Sequence, residues 1–251
     1  MKGAGKAFVI FCVVFLSAVA AAVLRNSPFS SPREWSETAR GVKTRLDTAE
    51  PVIALTFDAC GSAGDGYDAE LLDYLVKERV PATLFINARW IDKHPSEFIA
   101  LARDPLFEIE NHGMLHKPCS INGRSVYGIK GTANPAEVRS EVEGNALKIE
   151  RLTGRRPRFY RSGTAYYDEK AVALVEKLGY QAAGFSVLGD CGATYSRSQV
   201  KDAFASARAG DIIIVHMNHP EKETAEGVMD AVKLLKKRGL RFVRLDEYPL
   251  R

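Results

Sequence analysis

The feature that most constrains this chain is a regular alternation of two hydrophobic periods. Short runs rich in β-branched and aromatic residues recur, and each is followed by a stretch with apolar residues at helical spacing. "VIALTF" (Val52–Phe57), "ATLFI" (Ala82–Ile86), "FEIEN" (Phe107–Asn111), "RFYR", "QAAGFSV", "DIIIVH" (Asp211–His216) and "RFVRL" read as strands. Between them, "DAELLDYLVKER", "PSEFIALAR", "PAEVRSEVEGNALKIERLTG", "DEKAVALVEKLG", "RSQVKDAFASAR" and "TAEGVMDAVKLLKKRG" read as helices. The first places Leu71, Leu72, Leu75 and Val76 on one face. The third places Val138, Val142, Ile149 and Leu152 on one stripe, and Gly154 stops it. About seven such alternations predict a parallel sheet with crossover helices. The expected fold class is α/β, an incomplete (β/α)7-type barrel one unit short of the eight-fold one. The polar stretch Lys117–Asn134 is too long for a plain connection and is expected to be functional or mobile.

The alternation starts only after a different kind of segment. Lys2 and Lys6 precede an apolar run from Ala7 to Leu24, broken only by Ser17, with Ala18 and Ala20 in an A-x-A arrangement. Residues 1–24 are therefore read as a signal peptide or an N-terminal membrane anchor, with export and cleavage preferred. "RNSPFSSPREWSE" then reads as a linker over 25–42, and the domain is expected over 43–251. The globular part is expected outside the cytoplasm, in the periplasm or cell envelope, with membrane contact only through the N-terminal segment. Beyond Cys12, three cysteines remain: Cys60, Cys119 and Cys191. In an oxidising compartment they form either one pair and a leftover thiol or three buried thiols. The net charge of +4, with both signs interleaved, offers no basic stripe for nucleic acid.

In folds of this kind chemistry gathers at the carboxyl ends of the strands. The first strand ends in Asp58, the third runs into His112 and His116, the fourth ends in Arg161, the fifth runs into Asp190 and the sixth ends in His216. A lone histidine after a strand is usually a loop residue. Three of the chain's five histidines on one rim, with two aspartates and an arginine, are better explained by one site. The spacing of His112 and His116 suits a metal, since side chains four apart share a face of a helical turn. His94, at a helix start, and His219, in a loop, read as surface residues.

These residues carry a resemblance. "TFDAC", "HGMLH", "RSGTAY", "GDCG" and "IIIVH" follow in the order of the motifs of the polysaccharide deacetylases, carbohydrate esterase family 4, the NodB-homology domain. The first two and the last are specific, the middle two loose, and the match runs from about Val52 to Leu245. The resemblance implies an incomplete (β/α) barrel and a hydrolase that removes acetyl groups from sugars with a divalent metal, usually zinc. It implies an acetylated glycan such as peptidoglycan or an exopolysaccharide as substrate. It implies His112 and His116 as metal ligands, Asp58 as general base, Arg161 as the residue holding Asp58 ionised, His216 as general acid and Asp190 as an orienting partner. A backbone N–H in the Gly163–Tyr166 loop would help hold the oxyanion. The chain departs from the pattern at Ala59, where the family has a third metal ligand. Asp58, Glu110 and Cys60 are the replacements weighed. Asp58 in a double role is preferred, and Cys60 is read as a small residue filling a tight turn. Gly113 stands where the family has Ser or Thr, and Ser162 replaces a Pro. A glycan-binding domain that kept the fold and lost the metal is the alternative, and a cysteine hydrolase using Cys60 has less support.

Overall fold

The computed structural model describes residues 31–251; the expected signal or anchor segment lies outside the described residues. Among the described residues, no helix is long and apolar enough to cross a membrane. The strands are β1 (Val52–Ala59), β2 (Ala82–Ile86), β3 (Phe107–Asn111), β4 (Ser125–Val126), β5 (Ile129–Lys130), β6 (Phe159–Tyr160), β7 (Gln181–Ala182), β8 (Val187–Leu188), β9 (Ile212–His216) and β10 (Arg241–Val243). The helices are α1 (Ala69–Lys77), α2 (Ala88–Lys93), α3 (Pro95–Arg103), α4 (Pro135–Thr153), α5 (Glu169–Lys177), α6 (Arg197–Ala205) and α7 (Thr224–Lys237).

Eight strands pair in parallel in the order β7-β6-β3-β2-β1-β9-β8, with β10 alongside the start of β1. The expected α/β half-barrel is thus the observed architecture. One expected strand breaks in two. "QAAGFSV" pairs first with β6 and then, after Ala183–Ser186, with β9 at the opposite edge of the sheet. Only four residues separate the two pairings, so the two ends of the sheet come close together.

Every residue of β1 is buried, because both faces of the sheet are covered. Ile53, Leu55, Phe57 and Ala59 pack under the helices, with Leu71 and Leu75 of α1 and Val228 and Leu235 of α7. Val52 and Ala54 face the interior of the curl, with Phe85, Phe159 and Ile212. By the same alternation Thr56 and Asp58 turn inward and Ala59 turns outward.

The helices start where the sequence caps them. Asp68 accepts from Leu71 N at the head of α1, and Asn134 accepts from Glu137 N at the head of α4. Two stripe residues are corrected: Val76 is 42% and Leu152 45% exposed, so each faces water beside the buried stripe. Helix α2 was not anticipated, since six residues are too few to show a period. The compact unit begins at Glu34, ahead of the expected start at 43. Ser36 bridges to Tyr167, and Ala39 is buried. The expected loop Lys117–Asn134 contains the two-stranded hairpin β4–β5. Cys60, Cys119 and Cys191 are all unpaired, which decides for free thiols; Cys191 is exposed, though all three were expected to be buried in that case.

Two carboxyl groups sit near the start of β3. Glu108 accepts from Thr83 Oγ1 at 2.6 Å and from the Leu245 and Asp246 amides. Glu110 accepts from the amides of Arg158 and Phe159. Burial pushes Glu108 up to about 6, and burial together with the Glu108 charge pushes Glu110 well above the carboxylate range. A carboxyl raised in the folded state favours folding when protonated, and that contribution is lost as pH rises from 4.5 through about 6. The melting temperature of Glu108→Gln should therefore fall less across that window than that of the wild type, as differential scanning calorimetry would measure.

Candidate active site

Asp58, Cys60, His116, Thr164, Cys191 and His216 share one cavity of about 460 Å³ at the carboxyl ends of the strands. Arg161 lies beneath it. This guanidinium is fully buried, and its donors reach Asp58 Oδ1 at 2.8 Å, Thr56 Oγ1 at 2.9 Å and the carbonyls of Ala183 and Gly184. Its plane lies over the Phe85 ring, 4.1 Å from the centroid. The Asp58 carboxyl, only 2% exposed, is thus met by a charge-assisted hydrogen bond.

His112 is fixed by the same residue. Its Nδ1 lies 2.9 Å from the Arg161 carbonyl oxygen, which can only accept, so Nδ1 carries the proton. Nε2 faces Cys60 Sγ at 3.8 Å and Asp58 Oδ2 at 3.5 Å. The His116 ring stands edge-on to His112, with centroids 4.8 Å apart. The loop between them is held by Glu141 of α4, whose buried carboxylate accepts from the Leu115 and Lys117 amides. Gly113 has a φ of +77°, and a Cβ there would meet Glu141 Oε1 at 2.5 Å. The missing Ser or Thr hydroxyl at this position is therefore replaced by a carboxylate from another element.

The ligand atoms of Cys60, His112 and His116 lie within 4.8 Å of one another. Cys60 was weighed from the sequence as a replacement ligand and read instead as a small turn residue. Its signal was strand parity: two residues beyond Asp58, it turns to the same side, while Ala59 turns outward into the helix layer. Burial alone pushes the Cys60 thiol up. The charge of His116 and hydrogen bonds from His112, His116 and His216 outweigh that and hold it well below the ordinary thiol range. Glu110, the other replacement considered, spends both oxygens on the β6 amides and lies outside this group. Asp58 stands beside the group with one oxygen held by Arg161. A thiolate and two imidazoles suit zinc or a similar borderline ion, so the residues present fit the metal that the motifs imply.

His216 stands beside Asp58, in register with it on the neighbouring strand β9. Its Nδ1 lies 2.9 Å from Asp190 Oδ1, and its own amide donates to Asp190 Oδ2 at 2.7 Å. Burial pushes the imidazole down, but the Asp190 charge and hydrogen bond prevail and hold it protonated well above its usual range. Asp190 stays ionised despite its burial because of His216. His219 also lines the cavity, its Nε2 3.7 Å from Asp65 Oδ1, so the surface reading of that residue is corrected. His94 sits at the head of α3 against Trp90.

Backbone strain concentrates here. Of seven non-glycine residues with left-handed φ among the described residues, His116, Tyr127, Thr164, Ala165 and Cys191 line the cavity. In the Gly163–Ala165 turn the Ala165 amide bonds the Ser162 carbonyl, while Thr164 Oγ1 is buried without a partner.

The family model for polysaccharide deacetylase matches residues 45–183. The chain belongs to the polysaccharide deacetylase family. That membership bears out the expected hydrolase class, and the match covers the first three motif segments, while those of Asp190 and His216 lie beyond it. The chain is 26% identical over 206 residues to the peptidoglycan-N-acetylmuramic acid deacetylase PdaA of Bacillus subtilis, covering 80% of this chain and 72% of that protein. The PdaA structure superposes with a TM-score of 0.70 over 83% of this chain and 84% of that chain, at 23% identity. A chitooligosaccharide deacetylase from Bradyrhizobium is 28% identical over 156 residues, 61% of this chain and 66% of that protein. A family 4 pseudoenzyme from Bacillus anthracis shares the fold, with a TM-score of 0.68 at 19% identity over 82% of this chain and 67% of that chain.

Gly163 joins two motifs of this deacetylase fold. A Cβ at that position would lie 2.2 Å from the His116 carbonyl oxygen. Gly163→Ala should force the arginine loop off the histidine loop and cost at least about 2 kcal/mol; urea unfolding measures it.

Proposed function

We propose that the protein is an exported, metal-dependent hydrolase that removes acetyl groups from the N-acetylated sugars of peptidoglycan or another polysaccharide. The observation that carries this reading is one cavity in which an Arg161-paired carboxylate on β1 and an Asp190-paired imidazolium on β9 stand in register beside the Cys60–His112–His116 donor set. The N-terminal apolar run and its A-x-A end support export.

In this reading Cys60, His112 and His116 hold the metal, and Asp58 is left free to act as base. A bound divalent ion supplies Lewis-acid polarisation of the acetyl carbonyl and a lowered pKa for water. Asp58 takes the proton of the attacking water, with Arg161 hydrogen-bonded to its Oδ1 and orienting the carboxyl. Thr164 offers its unpartnered hydroxyl to the oxygen on which charge develops. His216 donates its proton from Nε2 to the leaving nitrogen, and Asp190 stabilises the imidazolium until that transfer. Water and the acetamide become acetate and an amine, so the proton taken at Asp58 balances the one given at His216.

Elemental analysis should find about one zinc-like ion per chain. His112→Ala should lose it, and Cys60→Ala should weaken binding by more than the roughly 10–100-fold of an outer-shell loss. Cys60→Asp, which restores an oxygen donor, should recover part of it. Asp58→Asn should keep the metal while kcat on an acetylated glycan falls about 10²–10⁴-fold. Ala59 supports a second reading, a glycan-binding domain without turnover. That reading expects no metal even when it is supplied, and glycan affinity that survives Asp58→Asn and His216→Ala. Turnover that survives chelation but is lost in Cys60→Ser would instead make the Cys60 thiolate the nucleophile.

A further inference from the structure

Three aromatic rings stand in a row at the mouth of the cavity. Trp35 meets Tyr166 at a centroid distance of 5.6 Å, and Tyr166 meets Tyr127 edge-on at 5.8 Å. Tyr127 lines the cavity together with Glu37, Thr164 and His116, yet 73% of it is exposed. Trp35 and Tyr127 lie outside the motifs that carry the chemistry, and Tyr166 ends the RSGTAY segment.

Tyr127 is placed against local preference. Val126 pairs with Ile129, so Tyr127 and Gly128 are the two central residues of a hairpin, with φ of +52° and +76°. A turn with both residues left-handed favours Asn, Asp or Gly at its first position. A bulky aromatic there is strained. Burial offers no compensation at that exposure, so the fold gains little from the ring. Its place at the cavity mouth points to a ligand.

We propose that Trp35, Tyr166 and Tyr127 form a subsite that stacks the sugar ring next to the one whose acetyl group lies in the cavity. The proposal rests on the glycan reading of that cavity. Tyrosine and tryptophan present broad apolar faces with a polar edge, which match the C–H faces and hydroxyl rim of a pyranose. The cavity of about 460 Å³ is of small-ligand size, so the rest of a polymer must leave through the mouth where Tyr127 stands. Glu37, at the same mouth, offers a carboxylate to sugar hydroxyls. Tyr166 links the platform to the chemistry, since it lies two residues beyond Thr164.

The test is calorimetric titration with a soluble oligosaccharide of β-linked N-acetylated hexosamines, on the metal-loaded full chain. Tyr127→Asn should bind about tenfold more weakly. The same substitution relieves the turn, so its melting temperature should rise by about 2–4 °C. Tyr166→Ala should weaken binding at least as much. Affinity unchanged in both variants overturns the platform, as does a wild type that does not bind the oligosaccharide. A wild type that binds through Tyr127 but releases no acetate upholds the platform and overturns the catalytic reading, so the two failures are distinguishable.

Discussion

Much of this molecule depends on one buried cation. Arg161 reaches from the end of β6 to Asp58 and Thr56 of β1 and to the segment that crosses from β7 to β8. Its own carbonyl accepts from His112, and its amide bonds the Asn111 carbonyl. A charge removed from water costs several kcal/mol unless every donor is satisfied, and removing one partner of such a pair costs about 3–5 kcal/mol. The requirement works in both directions. The sheet must curl until Asp58 and Thr56 of β1, three strands along from β6, come within reach of Arg161, and once it has, Asp58 and His112 are set in place by the same group.

The rest of the cavity is built by similar substitutions of support. Glu141 does for the histidine loop what a local hydroxyl would do, because Gly113 leaves room for a carboxylate from α4. Gly163 lets the arginine loop close against His116. Asp190 is tied down by the His216 amide and the Thr224 hydroxyl before it meets the imidazole. These bonds hold residues at left-handed φ where isolated turns would relax, and the strain falls on the lining of the cavity.

Ala59 and Cys60 show how a site can move by one residue. A carboxylate at position 59 would have to turn out of an alternation that sends Leu55 and Phe57 into the helix layer. Position 60 needs no such turn, since it follows Asp58 to the inner side. In the proposed reading Cys60 is the donor, Asp58 need not coordinate, and base and ligand are separate residues.

The strand runs, the helix periods and their alternation were enough to determine the α/β half-barrel, because parallel strands joined by crossover helices have few ways to pack. The rim of Asp58, His112, His116, Arg161, Asp190 and His216 was legible for the same reason: each follows a strand whose end is the site. Val76 and Leu152 were misplaced because a helical stripe has soft edges, and α2 was too short to have a period. What only the tertiary structure decided involves distances between elements remote in sequence. Cys60 meets His112 across 52 residues, and Glu141 reaches Leu115 across 26. "QAAGFSV" divides between two sheet edges, and Trp35 and Tyr127 come to the same mouth through Tyr166. Local periodicity encodes which way a side chain points along its own element; which group it then meets depends on how the sheet curls.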